Sequence, residues 1–261
     1  MQPGPQELRR GQFMTKTEQA VNPNSIAPLK NVAELLALVD MLQSMEDTNR
    51  RMGLFSGFSG YGKSMACTYI RNKRDAAYVQ VPSYWSKKDC AEKLLHEVGG
   101  QVKRQTFSRT MDDLIERLVI SPRPLLIDEA DKLVDKGMIE LVRDIQDFAQ
   151  CPVILIGEEL LPQKIKAIER VDGRIRGRVL AQPCDMADAR TLAKFKCRGI
   201  EVADDLLEAT VTRTGGNAGL ITTNLLEFRQ YAIKHALQSL DVESYGGTFF
   251  TGDALVRQRR A

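Results

Sequence analysis

The stretch GFSGYGKS at residues 57–64 decides the fold, because its glycines, lysine and serine have the spacing of a phosphate-binding loop. It follows the apolar run MGLFSG (52–57), which predicts a short buried strand, and it precedes a segment of helical character that extends to about Lys73. In a strand–loop–helix unit the glycines let backbone N–H groups turn toward phosphate oxygens, and the helix N-terminus adds partial positive charge. The sequence therefore predicts a P-loop that binds a nucleoside triphosphate.

The residues of this loop have distinct expected roles. Lys63 is expected to reach the outer phosphates, and the Ser64 hydroxyl is expected to coordinate Mg²⁺. The residues predicted to surround the nucleotide are Gly57, Phe58, Ser59, Gly60, Tyr61, Gly62, Lys63, Ser64 and Met65.

A second stretch, LLIDEAD at 125–131, has the composition of a buried strand that ends in carboxylates. Asp128 is expected at the strand tip beside the P-loop, where its carboxylate can hold Mg²⁺, mostly through water. Glu129 follows it and can orient and polarise the attacking water. Glu129 and Lys63 are therefore predicted to be catalytic residues. For Asp131 the favoured interpretation is a helix cap or a surface acid.

Short apolar strands alternate with helices up to about residue 184, which predicts a parallel α/β sheet covered by helices on both faces. Asn31 is expected to cap the first helix. We predict strands at 52–57, 75–82, 122–131, 151–157 and 179–183, and helices at 31–50, 87–100, 110–120, 137–150 and 159–169. The predicted organisation is a flexible leader (1–27), a nucleotide-binding α/β domain (28–184), a smaller all-helical lid (185–245) and a basic C-terminal tail (246–261).

The composition of the 261 residues, 43% hydrophobic and 27% charged with a net charge of +3, is that of a protein with an ordinary buried core. The sequence contains no run of about 18 apolar residues, so no membrane span is predicted. The N-terminus lacks a hydrophobic secretory core, and a cytoplasmic protein is expected. The five cysteines are scattered, form no CxxC pair and are expected to be reduced and mostly buried, without a zinc site.

Taken together, these features resemble the AAA+ ATPases, and most closely the phage Mu B-like target-DNA activators of transposition and related transposon target selectors. The resemblance covers about residues 30–236. The stretches that support it are LFSGFSGYGKSMACTYI (54–70), PLLIDEADKL (124–133), CPVILIGEE (151–159), RVDGRIRGRV (170–179) and RTGGNAGLITTNLLE (213–227).

The resemblance implies that ATP binds between neighbouring subunits, that the chain forms ATP-dependent oligomers or helical filaments on duplex DNA, and that it delivers target DNA to a DDE transposase. It also implies an arginine that reaches the γ-phosphate of the neighbouring subunit, for which Arg174 and then Arg176 are favoured over Arg178. A solvated basic loop or a DNA contact remains the alternative for this segment. Two positions depart from the family pattern. Glu158 stands where relatives have a polar sensor residue, so either this acid points away from the phosphate, or the sensor is atypical, or the position belongs to a helix N-cap region. Gly219 stands where a lid arginine is common, which suggests slow, assembly-dependent hydrolysis.

DNA contact is expected without base reading, through lysines and arginines on phosphates. The segment KRQTFSR (103–109) is preferred, with Lys103, Arg104 and Arg109 as the contact residues, although a solvated basic surface remains an alternative. Tyr84 and Trp85 are interpreted as core residues or a partner contact. Two other functions remain open: a helicase-loader ATPase of replication and a P-loop switch that does not bind DNA.

Overall fold

The computed structural model describes residues 27–252. The predicted leader, apart from Ala27, and the end of the predicted tail lie outside the described residues. The strands of the α/β domain are β1 (Met52–Ser56), β2 (Ala77–Gln80), β3 (Leu125–Asp128), β4 (Val153–Gly157) and β5 (Ile175–Leu180). All their pairings are parallel, and their order in the sheet is β2-β3-β4-β1-β5. The prediction of a parallel α/β sheet is confirmed.

The helices of this domain cover both faces of the sheet. They are α1 (Lys30–Ser44), α2 (Lys63–Arg74), α3 (Lys87–Glu97), α4 (Phe107–Ile120), α5 (Asp131–Asp135), α6 (Ile139–Ala149), α7 (Leu161–Lys166) and α8 (Glu169–Asp172), with a 3₁₀ turn at Thr48–Arg50.

The core has two halves because side chains of a strand alternate between the faces of the sheet. Phe55 and Leu126 pack toward α1, α2 and the lid, whereas Leu54 and Ile127 pack toward α3, α4 and α6. Every residue of β1, β3 and β4 is buried, which explains why these strands read as continuous apolar runs. All five cysteines are buried and free, as expected.

Local hydrogen bonds set the helix starts. α3 begins at a capping box, in which Asp89 N donates to Ser86 Oγ at 3.3 Å and Ser86 N donates to the Asp89 carboxylate at 2.8 Å. Thr106 accepts from the Arg109 amide at 3.3 Å, so α4 begins at Phe107, three residues before its predicted start. α1 and α2 are joined by Arg74, whose Nε donates to Asp40 at 2.7 Å.

Two predictions about the helices of this domain are wrong. The helix expected over 159–169 is broken at Ile168, because two short helices bring Ile165 and Val171 separately into the core. The expected cap Asn31 lies inside α1, since the extended residue before that helix is Leu29, and Asn31 is buried with another role described below.

The lid comprises α9 (Met186–Lys196), α10 (Asp204–Thr214) and α11 (Ala218–Lys234). It is not entirely helical, because β6 (Glu201–Val202) pairs in parallel with β7 (Ser239–Leu240). Phe228 stacks edge to face on Tyr245 with ring centroids 4.6 Å apart, and Asn224 bonds both the N–H and the carbonyl of Phe250 at 2.8 Å. Packing on the lid therefore continues at least to residue 250, past its predicted end at 245.

No helix within residues 27–252 combines the length and the apolar character that crossing a bilayer would require.

Candidate nucleotide site

The P-loop connects β1 to α2 and has the backbone shape that its glycines allow. Gly60 and Gly62 have φ angles of 82° and 83°, in the left-handed region that residues with a Cβ rarely adopt. Helix α2 begins at Lys63, immediately after the second of these glycines. The free N–H groups of its first turn are therefore presented at the carboxyl edge of the sheet, where anions bind.

Lys63 folds back over the loop. Its Nζ donates to the Gly57 carbonyl at 2.5 Å and to the Phe58 carbonyl at 2.9 Å. Burial lowers the pKa of Lys63, while the nearby carboxylates, with Asp128 and Glu129 first, oppose this shift. The ammonium group is thus held at the loop by neutral carbonyl oxygens, which are weaker partners than the oxygens of a phosphate.

Ser64 and Asp128 meet at the predicted metal position. Ser64 Oγ donates to Asp128 Oδ2 at 2.7 Å, and Asp128 is only 2% exposed. Both groups offer oxygen atoms that can coordinate a metal. The Ser64 hydroxyl can do so while it donates its hydrogen bond to Asp128, because its oxygen keeps free lone pairs. This donor set fits Mg²⁺, which prefers one or two protein oxygens completed by phosphates and water. Among residues 27–252, no cluster of three or more histidine, cysteine or acidic side chains could hold a metal by itself.

Glu129 is half-buried and lines the same cavity. Its φ angle is 59°, an uncommon value for a residue with a side chain, and its carboxylate lies 3.3 Å from Lys132 Nζ. Strained backbone of this kind is concentrated at functional sites, since the surrounding structure must maintain it. The Glu129 carboxylate therefore lies at the cavity in which the sequence predicts a catalytic role for it.

Tyr78 is a site residue that the sequence analysis missed. Its hydroxyl donates to Asp128 Oδ2 at 3.0 Å, the same oxygen that accepts from Ser64, while the Glu129 amide donates to Oδ1 at 2.9 Å. Burial, followed by the charge of Asp128, raises the pKa of the Tyr78 phenol, so this group is a neutral donor at physiological pH. The sequence signal is a tyrosine in β2, but its contact depends on the pairing of β2 with β3.

The interpretation of Asp131 as a cap or surface acid is wrong. Asp131 is buried and accepts a hydrogen bond from the Glu158 amide at 2.8 Å, with Lys164 Nζ at 3.6 Å from its carboxylate. It ties the end of β3 to the end of β4. The Glu158 side chain is exposed and lines the cavity, where it contributes negative charge near Lys63.

The cavity above the P-loop has a volume of about 390 Å³ and extends from the carboxylates to an apolar end. The predicted residues Ser59 to Met65 line it, whereas Gly57 and Phe58 contribute carbonyls to Lys63 instead. Phe58 is 55% exposed and stacks edge to face on Tyr61. The apolar end is formed by α1 and its preceding segment and by the lid, through Ala27, Leu29, Val32, Leu192, Phe195, Ala218 and Thr222, with Lys196 beside them.

The lid bonds directly to the backbone of the P-loop. Asn217 Nδ2 donates to the Ser59 carbonyl at 3.3 Å, and the Gly219 amide donates to the Gly60 carbonyl at 3.2 Å. A side chain at Gly60 would collide with Asn217, whose Nδ2 lies 2.1 Å from the position of an added Cβ.

Asn31 secures the other side of the loop. Its Nδ2 donates to the carbonyls of Tyr61 and Gln182 at 2.8 Å each, and its Oδ1 accepts from the Gln182 amide at 2.9 Å. A single buried amide therefore joins α1, the P-loop and the segment that enters the lid.

The arginines predicted to act on a neighbour lie away from this cavity. Arg174 precedes β5, and β5 begins beside Met52 at the end of β1 opposite the P-loop. Arg174 is ion-paired with Asp147 at 2.9 Å, whereas Arg176 is exposed on the edge strand β5. Neither arginine reaches the nucleotide cavity of its own chain, so a contact with a γ-phosphate would require a second chain.

The predicted DNA-contact residues lie around the start of α4. Lys103 and Arg104 are exposed in the loop before that helix, and Arg109 in its first turn is paired with Asp113 at 3.1 Å. Lys88 Nζ donates to the Gln105 carbonyl at 2.9 Å, which fastens this loop to α3.

The aromatic pair after β2 divides between surface and core. Tyr84 is 80% exposed, so core packing is excluded for it. Trp85 is partly buried and packs against the core half beneath α3 and α4.

Comparison with known proteins agrees with this geometry. Residues 46–165 match the family model described as the AAA domain. No curated protein matches the chain.

Several solved structures share the fold at low identity. The Aeropyrum pernix ORC2 protein in its ADPNP–ADP complexes is 12% identical, with a TM-score of 0.69 over 87% of this chain and 70% of that chain. The Aeropyrum pernix ORC1 protein in complex with DNA is 15% identical, with a TM-score of 0.60 over 82% of this chain and 62% of that one. Cdc6p of Pyrobaculum aerophilum is 13% identical, with a TM-score of 0.57 over 84% of this chain and 68% of that one.

At such identities the likeness concerns the fold, and it does not test the narrower resemblance to Mu B-like activators. The P-loop, the acidic strand and the parallel strand order fall within the matched region or the shared fold. Residues 46–165 therefore match an AAA domain, and the sheet and helices have the AAA+ fold.

Proposed function

We propose that this protein is an ATPase that binds ATP with Mg²⁺ between the P-loop and the lid and uses it to act on DNA. The binding of ATP with Mg²⁺ is supported by the hydrogen bond of 2.7 Å between Ser64 and Asp128, at the edge of a cavity that Lys63 and Glu129 also line. A P-loop serine and a strand-end aspartate in contact form the usual protein contribution to a nucleotide-bound magnesium ion.

In this proposal each residue has one task. Lys63 leaves the loop carbonyls to bind the outer phosphates, because a charged acceptor is the stronger partner. Ser64 and Asp128 hold Mg²⁺, which neutralises developing charge on the phosphates when bound. Glu129 orients the attacking water and accepts its proton.

Nucleotide binding is tested with a matched pair of lysines on α2. Lys63→Ala should abolish ATP binding in a fluorescent-nucleotide assay, whereas Lys73→Ala, at the exposed far end of the same helix, should bind like the wild type. Glu129→Gln should bind ATP and hydrolyse it at least about 100-fold more slowly, in the range of a lost general base. Normal ATP affinity in Lys63→Ala would refute the assignment.

Assembly is a further part of the proposal. Since Arg174 and Arg176 lie at the opposite end of the strands from their own P-loop, either could complete the site of a neighbouring chain. The ion pair of Arg174 with Asp147 would have to open first, whereas Arg176 is exposed. Hydrolysis per chain should then rise with protein concentration, and the variant that lacks the acting arginine should lose this rise while still binding ATP.

For DNA we propose nonspecific contact through Lys103, Arg104 and Arg109. The fold likeness to an ORC1 protein solved with DNA supports a nucleic-acid partner, and the exposed loop before α4 offers cations without a base-reading module. Lys103 and Arg104 have the most accessible charges of the three, because Arg109 is paired with Asp113.

The DNA proposal is tested by a double variant and a control of equal charge. Lys103→Ala with Arg104→Ala should weaken duplex binding and reduce the slope of log K against log salt by about 2. Lys194→Ala with Arg198→Ala, two exposed lid positions, changes the net charge equally and should have little effect. Wild-type protein that does not bind duplex DNA would instead favour a nucleotide switch without DNA.

The biological role that we propose is delivery of target DNA to a DDE transposase by an ATP-dependent oligomer or filament. A replication ATPase is the second candidate, because the similar folds include ORC and Cdc6 proteins. Electron microscopy of the protein on duplex DNA with ATP, followed by a strand-transfer assay, separates the two. Filaments and stimulated transfer support the first role, whereas association with a replicative helicase supports the second.

A further inference from the structure

We propose that Tyr78 is a positioning residue for the metal site, because its hydroxyl fixes the carboxylate of Asp128. The inference rests on the proposed function, since it concerns the Mg²⁺ that accompanies the nucleotide. Tyr78 is not expected to touch the nucleotide or the reacting water.

The pairing of β2 with β3 dictates the contact. Tyr78 lies opposite Leu126, two residues before Asp128 on the neighbouring strand. Residues two apart on a strand share a face, so Tyr78 and Asp128 project from the same face of neighbouring strands, where the hydroxyl reaches the carboxylate. The ring packs against the core half beneath α1 and α2, so its hydroxyl is held in place by packing.

Asp128 depends on the Tyr78 hydroxyl because Ser64, its other side-chain donor, is also proposed to bind the metal. Oδ2 accepts from both Ser64 at 2.7 Å and Tyr78 at 3.0 Å, and Oδ1 accepts from the Glu129 amide at 2.9 Å. In the proposed complex the Ser64 hydroxyl is shared with the cation. Tyr78 is then the side-chain donor to Asp128 that is not itself expected to touch the cation. Partners of this kind commonly tune metal affinity although they do not touch the metal.

The test is Tyr78→Phe, which removes the hydroxyl and keeps the ring and its packing. Nucleotide affinity is measured by fluorescence anisotropy of a labelled ATP, first in EDTA and then across a Mg²⁺ titration. Tyr245→Phe is the control, because it removes a tyrosine hydroxyl that donates to the Thr248 carbonyl on the lid. Paramagnetic resonance with Mn²⁺ as a probe measures metal uptake in the same nucleotide complexes.

We expect Tyr78→Phe to match the wild type in EDTA and to require about tenfold more Mg²⁺ or Mn²⁺ for the same gain in affinity. Tyr245→Phe should titrate like the wild type. Metal midpoints that are equal in Tyr78→Phe and the wild type overturn the inference, and so does an equal loss of affinity with and without metal. Wild-type protein that takes up no nucleotide overturns the proposed function and this inference with it.

Discussion

At Glu129 the backbone conformation predicts that glycine is more stable than alanine, the reverse of the usual order. Its φ of 59° lies in the left-handed region, and its carboxylate pairs with Lys132. Glu129→Ala and Glu129→Gly both remove the carboxylate and the ion pair, and they differ only in the Cβ. Any difference in stability between these two variants therefore reports the cost of that Cβ at a left-handed position.

The expected difference follows from two opposing effects. A Cβ in the left-handed region costs about 1–2 kcal/mol in the folded state. Glycine opposes this effect by about 0.4–1 kcal/mol, because a glycine gives the unfolded chain more conformational entropy, which folding must remove. Glu129→Gly should therefore be more stable than Glu129→Ala by about 0.5–1 kcal/mol, or about 2 °C in Tm.

The free energy of unfolding is measured by urea denaturation of both variants. The control is the same pair of substitutions at Glu208, which is exposed in α10, where glycine should be less stable than alanine by about 1 kcal/mol. Both Glu129 variants should still bind ATP, because Lys63 and Ser64 are unchanged. An alanine variant at 129 that equals or exceeds the glycine variant, while the pair at 208 behaves normally, would refute the strain.

Three other perturbations test the surroundings of the site. Asn31→Ala removes three hydrogen bonds of a buried amide and should cost about 1–3 kcal/mol in urea denaturation, where a loss below about 0.5 kcal/mol would contradict its bridging role. Gly60→Ala should lose nucleotide affinity because its Cβ meets Asn217, whereas Gly99→Ala, also at positive φ but with nothing within 4 Å, should keep it. Hydrogen bonding to its arginine partner lowers the pKa of Asp40, so this carboxylate stabilises the fold above its unfolded pKa of 3.8. The wild type should accordingly have a higher free energy of unfolding than Asp40→Asn at pH 7, and this difference should disappear as the pH falls below 3.8. Denaturation at several pH values measures it.

Much of the fold follows from short-range sequence patterns. A glycine-rich turn between an apolar strand and a helix determines the P-loop, and buried strands such as β3 and β4 appear as uninterrupted apolar runs. Because parallel strands end at one edge, the meeting of Ser64 and Asp128 could be expected before any coordinates.

What the sequence could not reveal depends on contacts between distant segments. The bond from Tyr78 to Asp128 requires the register of β2 on β3, and the bond from Asp131 to the Glu158 amide requires the packing of α5 against the end of β4. Asn31 bridges residues 151 positions away. Periodicity and motif spacing contain no information on such pairs.

The edge strand β5 was predicted four residues too late for a different reason. It is covered on one face only, so buried or half-buried residues alternate with the exposed Arg176 and Arg178. The absence of a side chain at Gly177 admits Leu38 of α1, whose Cδ1 lies 2.4 Å from the position of an added Cβ. An apolar run of the kind that marks the central strands could not form there.

The charges around the phosphate end of the cavity argue for help from outside the chain. Lys63 is surrounded by Asp128, Glu129, Glu158 and Glu159, so one cation at the P-loop is outnumbered by carboxylates. The lid adds neutral hydrogen bonds to the loop backbone where an arginine would have added charge. A triphosphate brings further negative charge into the same space, and Coulomb repulsion is strong at a partly buried site. In the proposed mechanism, Mg²⁺ would offset part of this repulsion. Within residues 27–252 the basic side chains that line the cavity are Lys63 and Lys196, and Lys196 lies beside its apolar end. An arginine from a neighbouring subunit, as proposed above, would supply a further cation at the phosphate end.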